Sequence, residues 1–285
     1  MSRVPAPVKR IDRPAYAEAF HALQKSWALR IKNEPLFERR QALYRQAYDH
    51  MFRFTRDHIS AEKHEFGFDA GFLWGPHAVM RGGDVLEMGS GLGSAGLMMT
   101  RWARRVYAIE ASTEGREVIG RRAEAAGIRN LEVRDDDIRL GGFSDGSIDV
   151  VYSNDFIEHL TEEDANVFLR SAFRVLRPRG TIFTVTPNRL AGPHDSTQWF
   201  ASIGSTAEGF HLREYNYAEL CAALRAAGFT HLRARIPFYA DFPFRPPYVP
   251  AWLMLMIERR VTDWASSFAW KVSAGMVNIS ARKPR

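Results

Sequence analysis

Residues 84–96 read DVLEMGSGLGSAG. A short apolar run with an acid near its end, Glu87, is followed by glycines at 89, 91, 93 and 96. A buried strand that breaks into a glycine turn and reopens as a helix is the first unit of a parallel α/β sheet. The glycines let the backbone turn tightly and approach a ligand, and the helix beginning near Ser94 offers free N–H groups to it. Two registers fit this turn. Gly91, Gly93 and Gly96 spell the G-x-G-x-x-G dinucleotide fingerprint, with Glu110 about 20 residues on. In the other register, Glu87, Gly89, Gly91 and Gly93 alternate, and the acid belongs to the strand. A carboxylate there repels a pyrophosphate and suits a cationic ligand such as an ammonium or a sulfonium.

Strand and helix patterns alternate onward from this turn. The helix 94–104 leads to the strand VYAIE (106–110), and the helical stretch 113–126 ends at Gly127. Short strands follow at 131–134 and 148–153. Residues 161–176 begin with Thr161 and Asp164, close to a capping box, and stop at Pro178. TIFTVT (181–186) is a fifth strand, and 217–228 is a helix with Asn216 as N-cap. HLRARI (231–236) and MVNISAR (276–282) close the chain as strands. The order predicts a mainly parallel sheet covered on both faces. Upstream, 14–31 and 36–59 carry helical spacing, with Phe20, Leu23, Trp27 and Ile31 on one helix and Leu43, Ala47, Met51 and Phe52 or Phe54 on the other. They divide the chain into an N-terminal helical extension, 1–75, and a main domain, 76–285. These helices suit a cap, a homodimer face or a simple cover for the sheet.

The chain has 285 residues, 46% of them hydrophobic and 25% charged, enough for one sizeable core and an accessory region. Net charge is +6, but the basic residues are interspersed with acids, so a nucleic-acid partner is disfavoured. A single cysteine, Cys221, excludes an intramolecular disulfide and a multi-cysteine zinc site, and no metal is expected. MSRVPAPVKR lacks the apolar core of a secretory signal, and the longest apolar run, VPAWLMLMI, is shorter than the about 20 residues of a membrane span. The expected location is the cytoplasm, with peripheral contact to the inner face of a membrane as an option. That option rests on 245–270, where an apolar stretch adjoins Arg259 and Arg260.

The ordered set of motifs resembles the class I S-adenosylmethionine-dependent methyltransferases of the small-molecule type. EMGSGLG with Glu110, DDDIRLGGFSDGSIDVVYSNDFIEHL (135–160), RVLRPRGTIFTVTPN (174–188), HLREYNYAELCAALRAAGF (211–229) and NISARKP carry the likeness over about 76–236 and 275–285. The resemblance implies a Rossmann-like α/β fold. Its seven-stranded, mostly parallel sheet has an antiparallel last strand, an N-terminal helical extension and a helical insert, about 237–274, before that strand. It implies S-adenosyl-L-methionine as cofactor. Gly89, Gly91 and Gly93, with Met88 and Ser90 between them, would pack on its methionine part, and Glu87 would attract the amino group. Glu110 and Ala111 would meet the ribose, and Asp136 or Asp137, with Ile138, the adenine. Asn154 and Asp155 would stand where cofactor meets acceptor.

Methyl transfer is an in-line displacement, so the protein chiefly aligns the reactants and excludes water. A hydroxyl acceptor, the most expected kind, calls for a base. His194 (beside Asp195), His159 and His211 fall in loops at the ligand end and are the candidates. Phe238, Tyr239, Phe242, Phe244, Tyr248, Trp252, Trp264, Phe268 and Trp270 crowd the insert and suit an acceptor that is apolar or aromatic in part, or a membrane-facing patch; the resemblance implies a small molecule, lipid, saccharide or natural product without choosing among them. A nicotinamide-dependent oxidoreductase and a non-catalytic binding module of the same fold are the competing readings.

Overall fold

The computed structural model describes residues 13–58, 73, 76–235, 248–263 and 275–285. Helices α1 (Arg13–Lys32) and α2 (Phe37–His58) flank Pro35. Trp27, Ile31, Tyr44, Ala47 and Met51 join them to the main core. α2 is locked onto the rest of the molecule by charge. Arg40, itself buried, grips Asp164 with two bonds of 2.9 Å, and the Tyr44 hydroxyl donates to the same carboxylate.

Strands β1 (Asp84–Met88), β2 (Arg105–Ile109), β3 (Leu131–Arg134), β4 (Ile148–Asn154), β5 (Leu176–Pro187), β6 (Thr230–Arg235), β7 (Tyr248–Pro250) and β8 (Met276–Arg282) form one sheet in the order β3-β2-β1-β4-β5-β8-β6-β7. β1 to β5 pair in parallel, and β8 runs antiparallel between β5 and β6. The sheet thus has the expected mostly parallel build and reversed final strand, and it gains an eighth strand from the insert. β7 pairs antiparallel with β6. Its Tyr248 packs edge-on against Phe183, with centroids 5.8 Å apart, and donates to Asn278 Oδ1 at 2.6 Å.

Alternate residues feed opposite faces, as the pleat requires. Val85, Val106, Val150, Tyr152 and Phe183 meet α3 (Pro76–Met80) and α4 (Ser94–Met99) on one side. Leu86, Ile109, Val151 and Ile182 meet α6 (Glu162–Val175) and α7 (Tyr217–Ala226) on the other. The expected caps are present. Thr161 accepts from the Asp164 N–H, and Asn216 forms a full capping box with Glu219. Two boundaries moved by about five residues. α4 ends at Met99 rather than 104, and the Asn130 amide takes the carbonyls of Thr100 and Ala103 just beyond it. β5 begins at Leu176 rather than Thr181, because Ile148 of β4 already pairs with it there.

In the insert, α8 (Ala251–Asp263) turns Ala251, Met254 and Glu258 inward and leaves Trp252 and Met256 exposed. Glu258 accepts from the first N–H groups of α7, those of Tyr217 and Ala218, at 2.8 and 2.9 Å, where a helix welcomes negative charge. Phe238, Tyr239, Phe242, Phe244, Trp264, Phe268 and Trp270 lie outside the described residues. Among the described residues, no helix is long and apolar enough to cross a membrane.

Candidate active site

The strand order reverses between β1 and β4, and a cleft opens there at the carboxyl ends of the strands, as in other open α/β sheets. Its space, open solvent included, is about 730 Å³. Met88 and Gly89 line it from β1, Ile109, Glu110 and Ala111 from β2, and Asp136, Asp137 and Ile138 from the loop after β3. Gly91, Asp155 and His159 complete the strand side. Glu87, Ser90, Gly93 and Asn154 are not among the lining residues.

Helix α2 forms the roof, with Gln41, Tyr44, Arg45, Tyr48 and Phe52 facing the cleft. These residues repeat at helical spacing beside the apolar stripe of Leu43, Ala47 and Met51. A second stripe of tyrosine, glutamine and arginine was the available signal, and the sequence reading passed over it. Asp49 completes the closure, since its Oδ1 accepts from Ser112 Oγ and from the Thr113 N–H at the start of α5 (Thr113–Ala125).

Glu110 is buried. Its Oε2 accepts from the Gly91 N–H at 2.7 Å and its Oε1 from the Ser112 N–H at 2.8 Å. Each oxygen keeps a second lone pair for a guest in the cleft. Burial raises its pKa to about 7 against the pull of those backbone donors. Gly89 has φ 73°, and a Cβ there would lie 2.6 Å from the Phe156 ring, so the turn requires glycine on both counts.

Glu87 departs from expectation. Its carboxyl points beneath α4, where a Cβ on Gly96 would meet Oε2 at 2.6 Å. Oε2 and the nearby Ser90 Oγ are buried without hydrogen-bond partners. Burial, with the charge of Glu110 adding to it, lifts the Glu87 pKa to about 8. Gly96 is glycine to make room for this carboxyl, which weakens the dinucleotide register.

Asp136 and Asp137 both reach the cleft. Asp136 accepts from Gly142 N–H, whereas Asp137 is held by the Arg139 guanidinium, which helps to lower its pKa against the opposing effect of burial. Asn154 donates to Asp155 Oδ2 at 2.7 Å, and Asp155 itself sits at φ 49°.

The three histidines divide. The expected pairing of His194 with Asp195 is absent. Asp195 accepts from the N–H groups of Thr197 and His211, and His194 Nε2 donates to the Asn188 carbonyl at 3.1 Å. His159 and His211 instead come together, with ring centroids 4.9 Å apart. His159 Nδ1 donates to the Phe210 carbonyl, and burial drives the ring's pKa down to about 3, so it is a weak proton acceptor. His211 Nδ1 lies 2.7 Å from Glu214 Oε1. Beside the two rings stands Glu158, fully buried, which sequence reasoning did not single out.

Residues 86–184 match the model of a family described as a methyltransferase domain. That match takes in the glycine turn, the acid that follows β2 and strands β2 to β4, about a third of the chain. A probable S-adenosylmethionine-dependent methyltransferase of Mycolicibacterium smegmatis is 35% identical over 153 residues, covering 52% of this chain and 52% of that one. The chain thus matches about half the length of this curated relative. The YcgJ protein of Bacillus subtilis superposes with a TM-score of 0.52 at 17% identity, over 75% of this chain and 98% of that one. A Thermotoga maritima S-adenosylmethionine-dependent methyltransferase, a possible histamine N-methyltransferase, gives 0.52 at 15% identity, over 75% and 88%. At such identities these likenesses establish the fold.

Proposed function

We propose that the chain binds S-adenosylmethionine in the cleft beneath α2 and transfers its methyl group to an oxygen of a small-molecule acceptor. The observation that carries this reading is Glu110. It is a buried carboxylate at the end of β2, braced by Gly91 and Ser112, with lone pairs left for two neighbouring hydroxyls. The acidic lining of Glu110, Asp136, Asp137 and Asp155 suits a cationic nucleoside and repels a pyrophosphate, so it speaks against the oxidoreductase reading.

The cofactor brings a methyl group already activated on sulfur. The residues of the chain do the rest. Glu110 orients the ribose, Gly89 and Gly91 let the backbone come close, and Tyr48 and Phe52 shield the reacting centre from water. Asp155 and His159 mark the acceptor side. Neither histidine near the cleft suits the role of free base. His159 resists protonation, and although burial lowers the pKa of His211, the hydrogen bond to Glu214 together with the charges of Glu158, Glu214 and Asp195 raises it, so that ring gives up its proton less readily.

Calorimetric titration of the full chain with S-adenosylhomocysteine should give saturable binding with a Kd in the micromolar range. Labelled S-adenosylmethionine and a small-molecule extract should then give a labelled methyl ether, which is stable to base, or a labelled methyl ester, which base hydrolyses to labelled methanol. No heat with either form of the nucleoside would remove the proposal. Binding without transfer would favour the non-catalytic module.

A further inference from the structure

We propose that Glu158, His159 and His211 bind a divalent transition-metal cation on the acceptor side of the cleft. Glu158 and His159 belong to the single turn Ile157–His159 that follows β4. His211 lies in the loop before α7, and the Arg213 N–H donates to the Glu158 carbonyl at 3.0 Å, tying the two loops together. One ligand atom from each of the three side chains lies within 4.8 Å of the other two, and Glu158 Oε1 is 3.8 Å from His159 Nε2. Bonds of about 2.0–2.2 Å at tetrahedral angles hold ligand atoms roughly 3.3–3.6 Å apart, so the side chains need to close by up to about 1 Å.

Three features make this more than proximity. Each histidine commits Nδ1 to an oxygen, His159 to the Phe210 carbonyl and His211 to Glu214. In their neutral forms both rings carry hydrogen on Nδ1 and offer the Nε2 lone pair, which is how metal-binding histidines are braced, and at His211 a cation would displace the second proton. The Glu158 side chain is fully buried. Its Oε2 accepts from Thr186 Oγ1 at 2.8 Å, while Oε1 has no hydrogen-bond partner. A buried carboxylate oxygen left unpaired is costly, and a cation would satisfy it. Of the three, His159 lines the cleft, beside Asp155, so the cluster adjoins the place where an acceptor would lie.

Two imidazoles and one carboxylate select a cation such as Zn²⁺, Mn²⁺ or Fe²⁺ over Mg²⁺, and three protein ligands leave coordination positions open. The role of the site rests on the methyl-transfer reading. An acceptor hydroxyl bound at an open position would lose its proton more readily and present its oxygen to the methyl group. The sequence concealed this site because Glu158–His159 and His211 are far apart in the chain and match no metal-ligand spacing.

The competing account is a proton-sharing network, in which a charged His211 is balanced by Glu158 and Glu214 and no cation binds. Chelator-treated full-length chain titrated with ZnCl₂ and with MnCl₂ separates the two. The expected result is saturable binding of one cation per chain. His211→Ala and Glu158→Gln should each weaken it by more than the roughly 10- to 100-fold typical of losing an outer partner. Absence of saturable binding of either cation, or binding unchanged in both variants, overturns the site.

If those variants fail to fold, Glu214→Gln provides the test, with an expected drop of about tenfold in cation affinity, and an unchanged affinity overturns the site. S-Adenosylhomocysteine binding is measured on the same samples. Its loss with cation binding intact would sink the methyl-transfer reading and leave the metal site standing. The reverse pattern would sink the metal site alone.

Discussion

Glu110 joins the local sequence to the proposed chemistry most directly. Its carboxylate braces the glycine turn through Gly91 and the start of α5 through Ser112, and it still faces the cleft. Glu110→Ala is expected to weaken S-adenosylhomocysteine binding by about 1.5–3 kcal/mol, or roughly 10- to 150-fold, as charge-assisted hydrogen bonds are lost. Calorimetry at matched pH checks this, and wild-type affinity would place the ribose elsewhere. This residue was legible because an acid ending the second strand has few structural uses. Glu87 was legible as a residue but not in its orientation. Strand alternation places a side chain on one face or the other, and the carboxyl turned under α4 beside Gly96 rather than into the cleft. Glu158 gave no signal at all, because burial and the approach of His211 are tertiary facts.

At the scale of elements, the strands and helices that follow the glycine turn were readable in order and, apart from the end of α4 and the start of β5, to within a residue or two. Each is bounded by a cap or a glycine that acts locally, such as Asn216 before α7. The roof was not readable, because what seats α2 is a set of partners remote in sequence. Arg40→Ala tests that seating. It strands the Asp164 carboxylate in the core with Tyr44 as the only donor left from α2, a loss of about 3–5 kcal/mol for a broken buried pair. The expected outcome is faster amide hydrogen exchange across α2, together with weaker nucleoside binding. Unchanged exchange in α2 would show that its apolar face alone holds it. β7 escaped the reading for a similar reason: three residues ending in proline carry too little pattern, and Tyr248 is held by Phe183 and Asn278 from distant strands.

For the molecule as a whole, Glu87 and Glu110 set a pH dependence. Burial lifts them to about 8 and about 7 from an unfolded value of 4.5. Above that value the folded chain holds protons the unfolded chain has released, so stability falls as pH rises through 7 to 8. His159 and His194, whose pKa values burial lowers, act in the opposite sense only below their unfolded value of 6.5. The unliganded chain should therefore melt at a lower temperature at about pH 8.5 than at about pH 6.5, and saturating S-adenosylmethionine should narrow the gap. Scanning calorimetry checks both, and a melting temperature that rises over this range would show the two carboxyls ionising without cost.

The two ends of the sheet govern how copies of this chain can meet. Among the described residues the outermost strands are β3, four residues long and bearing Glu132 and Arg134, and β7, three residues long and closed by Pro250. A neighbour arriving edge to edge would find almost no ladder to extend, and the proline withholds an N–H from what little there is. Growth of the sheet from one molecule into the next is blunted at both borders, which leaves helical faces as the ground on which self-association has to be built.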